Sequence, residues 1–296
     1  TKGVVMDKDI EQMLKTIEST QLNIEARTKN KNLEADQDPT HKVADNSVTK
    51  SHALSRAYYR FGLVEKRCME ALISKLNPLR SDNNLQEIEL SALEYAKAYN
   101  VPVNVAYRDL SSAVHGLMRR VITADRPNGK PGRIEFTVMS KAEYKDDEGK
   151  ILCAYNPYIL PYLLKLSGKF SSYPLKNATD FSSSYTWRFY EILSSWAQDK
   201  KQTGGRLMGW INKQSVDELR EMLGVPASYT WKNFDQQVLN TAKNELLEKA
   251  HIAVFFERIK TNRKITHLNI KFIESDQTTL PLEGGEKPKK TRKKAA

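Results

Sequence analysis

Cysteine is nearly absent from this 296-residue chain: Cys68 and Cys153 are the only two, far apart and without metal-ligand spacing around either. That excludes a disulfide framework and a zinc ribbon, and it fits a reducing compartment. No apolar run approaches the roughly 20 residues that cross a bilayer, and no signal-peptide pattern opens the sequence. The expectation is a cytoplasmic protein. The five histidines, His41, His52, His115, His251 and His267, form neither H-x-H nor H-E-x-x-H, so a metal-dependent nicking site has no ligands. No G-x-x-x-x-G-K-[ST] is present, and "GGEKPKKT" near the C-terminus has its letters in the wrong order. Tyr155, Tyr158 and Tyr162 lie in the apolar segment "AYNPYILPYLL", where a place in the core outweighs a nucleophilic role. The reading is a protein that is not an enzyme and uses no metal or cofactor.

What the chain holds in excess is positive charge, with a formal net charge of +11. Residues 1–46 carry 7 Lys/Arg against 9 Asp/Glu, and residues 275–296 carry 6 against 3, which leaves 34 against 24 in residues 47–274. The basic excess therefore belongs to the foldable part and points to an anionic partner, nucleic acid or membrane surface. Before it, "DKDIEQMLKTIESTQL" reads as one helix, followed by a polar linker. After it comes a flexible basic tail, either a solvated end or a non-specific phosphate contact.

The foldable part contains an internal repeat. "SALEYAKAYNVP" (Ser91 to Pro102) and "SVDELREMLGVP" (Ser215 to Pro226) share Ser, Glu, Val and Pro at one offset of 124 residues. Each opens with the S-x-x-E of a capping box, continues with helix-spaced apolar residues and stops at Val-Pro, where proline disfavours helix in the residue before it. A second amphipathic helix follows in each: Leu110, Val114, Leu117 and Val121 in one, Phe234, Val238, Ala242 and Leu246 in the other. Upstream lie a short strand ("LQEIEL", "RLMGWI") and an apolar-striped helix, marked by Met69, Leu72, Ile73 and Leu76 or by Tyr185, Phe189, Ile192, Leu193 and Trp196. Downstream lie two alternating strands, "GRIEFTVMSKAEY" with "KILCAY" and "IAVFFERIK" with "ITHLNIKF". Helix, strand, helix, helix, hairpin is the order of a winged helix. The expected fold is α+β: a flexible or partly helical segment over 1–46, winged helices over 47–174 and 175–274, and a basic tail over 275–296.

The last hairpin carries Arg258, Lys260, Arg263 and Lys264 around its tip with no acid among them. Like charges repel, so the concentration suits a phosphate backbone, which the wing of a winged helix follows while the recognition helix enters the major groove. The second recognition helix offers Lys232, Asn233, Gln236, Gln237, Asn240 and Lys243. Asn and Gln pair bidentately with adenine, and Lys reaches guanine or phosphate. Asp235 is awkward there unless it faces a cytosine amine or a neighbouring cation. The first recognition helix offers Asn104, Tyr107, Arg108, Ser111, Ser112, His115, Arg119 and Arg120. For each residue singly, a solvated surface helix is the competing reading. The first wing has an acidic tip, "KDDEGK", and a basic base through Arg126, Lys130 and Arg133, so either that hairpin faces protein or only its base touches DNA.

With these elements in place, the chain resembles the iteron-binding plasmid replication initiators of bacteria, the family of F-type and related plasmids. The residues that carry the resemblance are "SVTKSHALSRAYYRFGLVEKRCMEALISKL", "YNPYILPYLLKLSGKFSSYPL", "SSSYTWRFYEIL" and "RKITHLNIKF", in the family's order and spanning residues 47–274. The resemblance implies two tandem winged helices that bind directly repeated sequences in double-stranded plasmid origin DNA. It implies a helix from Lys232 to Lys249 as the main base reader, with two reading helices about one DNA turn, roughly 34 Å, apart. It also implies a homodimer through the first domain that represses its own promoter, host initiator and helicase as further partners, and no membrane. A tandem winged-helix repressor without a replication role would use the same residues. A rolling-circle nicking enzyme is the remaining alternative, against which the missing H-x-H ligands argue.

Overall fold

Two winged helices share one core in the computed structural model, which describes residues 43–79, 87–127, 131–198, 203 and 205–274. The expected N-terminal helix and linker, the basic tail and Lys130 lie outside the described residues.

The first domain opens with strand β1 (Ser47–Ser51), one helical turn α1 (His52–Ser55) and helix α2 (Leu63–Ser74). Strand β2 (Glu87–Ser91) leads into α3 (Ala92–Tyr99) and α4 (Val103–Leu117). The capping box is complete here: Ser91 Oγ accepts from the Glu94 amide at 3.1 Å, and Glu94 accepts from the Ser91 amide at 2.7 Å. Each such cap is worth about 1 kcal/mol. Helix α3 stops one residue before Val-Pro, because Asn100 takes a left-handed conformation (φ 50°).

The strands after α4 differ from the sequence expectation. β3 (Val121–Asp125) pairs with β4 (Arg133–Thr137), forming a hairpin of its own. The wing is the next pair, β5 (Met139–Lys145) and β6 (Lys150–Tyr155), which forms a sheet of order β2-β6-β5. "GRIEFTVMSKAEY" is therefore two strands divided at the buried Val138, whose amide bonds the Arg120 carbonyl while its carbonyl accepts from Asn156. Val121, expected on the second helix, lies in β3 and is half exposed. Tyr155 and Tyr162 are buried as expected, but Tyr158 is 64% exposed on a turn that Asn156 closes. β7 (Phe170–Pro174) returns to pair antiparallel with β1, closing the domain.

The second domain repeats the order: helix α5 (Ser184–Trp196), β8 (Met208–Ser215) and α6 (Val216–Met222). A longer helix follows in three parts: α7 (Trp231–Asn233), a π-helical segment (Phe234–Asn240) and α8 (Thr241–Ala250). β9 (Ile252–Thr261) and β10 (Lys264–Glu274) complete a sheet of order β8-β10-β9. The second capping box is only half made. Ser215 Oγ accepts from the Glu218 amide at 3.4 Å, while Glu218 is held by Gln214 Nε2 at 3.0 Å. Ile252, Val254, Leu268, Ile270 and Phe272 all face the core, as the strand alternation predicts.

The domains dock through packing and charge together. Lys50, Lys66 and Glu70 of the first meet Arg188 and Glu191 of the second, all five buried. Arg188 also donates to the carbonyls of Ala57 (2.9 Å) and Met222 (3.1 Å), binding the two halves at backbone level. Arg56 stacks 4.0 Å over Trp196 and donates to Ser195. Gly224, at φ +66°, lies so close to the first domain that a Cβ would stand 2.7 Å from the Tyr59 carbonyl oxygen. The relative placement of α4 and the long helix of the second domain is therefore set by contacts between the domains.

Candidate nucleic-acid interface

The interface is built on the long helix of the second domain. Thr230 caps it, its Oγ1 accepting from the Asn233 amide at 3.2 Å. Phe234, Val238, Ala242 and Leu246 pin one side to the core. On the opposite side Lys232, Gln236, Gln237 and Asn240 are exposed, while Asn233 and Lys243 are half-buried on its flanks. Thr241 and Asn244 are exposed as well, and the sequence reading missed both.

The wing meets this helix directly. β9 and β10 are joined by a two-residue turn, with Thr261 paired to Lys264 and both Asn262 (φ 48°) and Arg263 (φ 67°) left-handed. Such turns favour Asn-Gly, and an arginine in the glycine position costs about 1–2 kcal/mol. Lys260, Arg263 and Lys264 are exposed and carry no ion pair among the described residues. Arg258 is different. Its Nη2 donates to both carboxylate oxygens of Asp235, at 2.9 and 3.0 Å. Arg258, expected as a phosphate contact, is joined to the helix by this ion pair while its side chain stays 48% exposed. The same bond removes the difficulty of Asp235, whose neighbouring cation is this one.

In the first domain α4 buries Ala106, Leu110, Ala113, Val114 and Leu117 and turns Asn104, Arg108, Ser112 and His115 outward; Tyr107 and Ser111 are half-buried. Tyr107, Arg108, Ser111, Ser112 and His115 line one open groove together with Tyr144 of the wing strand β5. Arg119 is exposed just beyond the helix, whereas Arg120 is held by Glu65 at 2.9 Å. The acidic turn leans over the helix: the Tyr107 hydroxyl donates to Asp146, and that bond pushes the phenol up to about 12, so it stays a protonated donor. Lys150 lies 3.2 Å from Glu148, which moderates the acidity of the tip. Arg133 is not at the base of the wing. It sits on the β3–β4 hairpin, donating to the Tyr58 hydroxyl at 2.9 Å and stacking 4.4 Å over that ring, so its expected place in the wing is corrected.

Among the described residues no group of three His, Cys, Asp or Glu could hold a metal ion, and no helix is long and apolar enough to cross a membrane. Cys68 is a core residue, fully buried, and that burial pushes its thiol well above its ordinary value.

Two family models match the chain: "Initiator Replication protein, WH1" over residues 47–194 and "Initiator Rep protein, WH2" over residues 215–272, so the first match takes in most of α5, the helix that by element order opens the second winged helix. The PI protein of Escherichia coli is 26% identical over 161 residues, covering 48% of this chain and 50% of that protein. The chain thus spans about half the length of that relative. A crystal structure of the Pi initiator protein in complex with iteron DNA has a TM-score of 0.61 at 21% identity, covering 79% of this chain and 99% of the other. At that identity the likeness is one of fold.

Proposed function

The chain belongs to the initiator replication protein family, and we propose that it is a plasmid replication initiator that binds direct repeats, iterons, in double-stranded origin DNA. One observation supports this reading above the others. Two helix-and-wing units, each with a polar face turned outward, are docked in one orientation by buried contacts between Tyr59, Arg188 and Gly224. A protein that reads a repeat of about two DNA turns needs two reading heads at a fixed spacing. The long helix of the second domain reads bases through Lys232, Gln236, Gln237 and Asn240. The wing grips phosphate through Lys260, Arg263 and Lys264, and α4 adds a second, weaker reading head. The protein does no chemistry of its own, its work coming from DNA binding and from host proteins. Self-association through the first domain, repression of its own promoter as a dimer, and contacts with a host initiator and helicase belong to the same proposal. These rest on the family resemblance alone.

The test is a titration of the full chain against duplexes carrying the direct repeats beside its gene and against scrambled duplexes of equal length, at several salt concentrations. A preference of about 10³ or more is expected. Equal, steeply salt-dependent binding to both would overturn sequence-specific recognition. Maintenance of an origin plasmid only when the protein is supplied separates an initiator from a repressor.

A further inference from the structure

We propose that Asn244 is a specificity-determining residue, and that the π-helical winding of Phe234–Asn240 is what carries it into the base-reading row. The inference rests on the base-reading role proposed above for this helix. An α-helix turns about 100° per residue, so positions four apart drift by about 40° and positions twelve apart by about 120°. On a purely α-helical rod Phe234 and Leu246 would point about 120° apart, and one of them would leave the core. Both are fully buried, as are Val238 and Ala242 between them. Seven residues of wider winding, whose backbone bonds run from i to i+5, absorb that drift and keep the four apolar side chains in one straight stripe.

The polar side has the same period. Lys232, Gln236, Asn240 and Asn244 are also spaced by four, and all are exposed. The winding that straightens the apolar stripe straightens this row too, from Lys232 to Asn244. Without it Asn244 would rotate off the face that Lys232 leads. Two further contacts hold the segment in this form. Thr241 Oγ1 donates to the Gln236 carbonyl, five residues back, at 3.3 Å, giving a partner to a carbonyl at the register change. Asp235, inside the segment, is clamped to the wing by Arg258. Asn244 presents one donor and one acceptor, the pair that matches an adenine edge. Glu248, next in the row and exposed, puts a negative charge at its end and limits the reading to the four residues before it.

The experiment uses the full chain and a set of repeat duplexes, each with one base pair changed. Asn244→Ala should weaken binding to the intact repeat by roughly 5- to 100-fold. It should also erase discrimination at one or two base pairs, displaced along the groove from those relaxed by Gln236→Ala. Asn244 is exposed, so an unchanged melting curve accompanies the expected result. If Gln236→Ala relaxes a position and Asn244→Ala relaxes none, the row stops at Asn240 and the inference fails while the function stands. If neither variant changes discrimination, the base-reading role of the helix fails and takes the inference with it.

Discussion

Replacing Glu191 by glutamine removes one charge from the domain interface and turns one acceptor oxygen into an NH2 donor, with the side chain's size unchanged. The carboxylate accepts from Lys50, Lys66 and Arg188, and the cluster as a whole sets three cations against two carboxylates, Glu70 and Glu191. Each of the five residues is at most 3% exposed. In Glu191→Gln three buried cations would face one carboxylate, and breaking a buried pair from one side costs about 3–5 kcal/mol. Domain stabilities run to about 5–15 kcal/mol, so the loss is a large share of the total. For a body of this size it lowers Tm by about 6–20 °C. Lys50→Met leaves two cations against two carboxylates and should cost less than Glu191→Gln, although it removes more atoms. Urea and thermal unfolding followed by circular dichroism at pH 7 measure both. A Glu191→Gln loss below about 1 kcal/mol, or a larger loss in Lys50→Met, would refute the reasoning. The pH dependence supplies a second check. Burial would raise the Glu191 carboxyl, but Lys50, Lys66 and Arg188 hold it well below the usual carboxylate range. Its contribution is complete above the unfolded value of about 4.3 and is lost as pH falls from there toward the lowered folded value. Acid destabilisation below about pH 4 should therefore be shallower in Glu191→Gln than in the parent.

Arg263→Gly places glycine at a left-handed position now held by arginine; stability should rise by up to about 1–2 kcal/mol, while the salt slope of DNA binding flattens by about one. A hairpin that loses stability instead would mean the turn needs the arginine. Asp235→Asn releases Arg258 at a stability change below about 1 kcal/mol, since the pair is half exposed. The freed guanidinium should steepen the salt slope by about one and lower the ratio of specific to non-specific affinity, and an unchanged slope would show that Asp235 does not restrain it. Gly224→Ala puts a methyl 2.7 Å from a backbone oxygen of the other domain at φ +66°; it should cost more than about 1 kcal/mol. A melt indistinguishable from the parent would show that the domain contact yields easily.

The order of elements was legible in the sequence because each domain writes its own punctuation. Ser91 and Ser215 mark helix starts, and Asn100 and Gly224, also 124 positions apart, mark the ends in left-handed conformations. The β3–β4 hairpin was not legible, since no glycine or proline divides Arg133 from Tyr144 and the break in the alternation, Met139 beside Val138, reads as an irregularity within one strand. Only the partners differ, and partners are tertiary. The interface charges were hidden for the same reason. Lys50, Lys66 and Glu70 read locally as ordinary solvated residues, and the carboxylate that pairs with the two lysines lies 125 to 141 positions away. In the long helix the strict four-residue spacing of Phe234, Val238, Ala242 and Leu246 was visible. What it requires, a winding wider than an α-helix, follows only once all four are known to be buried.

The same distinction between visible and placed charge changes how strongly the protein should depend on salt. Residues 47–274 carry 34 Lys/Arg against 24 Asp/Glu, and a grip using that whole excess would engage about ten phosphates, for a slope near −9 in log K against log salt. Which of the 34 cations are free to grip is decided by their partners and not by the net excess. Lys50, Lys66 and Arg188 are buried, Arg120 and Arg258 are bound to Glu65 and Asp235, and Lys141, Lys145 and Lys150 face Glu87, Glu89, Glu143 and Glu148. On α4 and the long helix, just beyond α4 and at the tip of the second wing, the exposed cations left for phosphate are Arg108, Arg119, Lys232, Lys260, Arg263 and Lys264, with Arg108 standing 3.8 Å from Asp109. Six contacts give a slope of about −5. A measured slope near −5 supports that count. One near −9 that falls to −5 when the lysines beyond residue 286 are replaced by glutamine assigns the difference to the tail, and one that stays near −9 refutes the division between internal and DNA-facing charge.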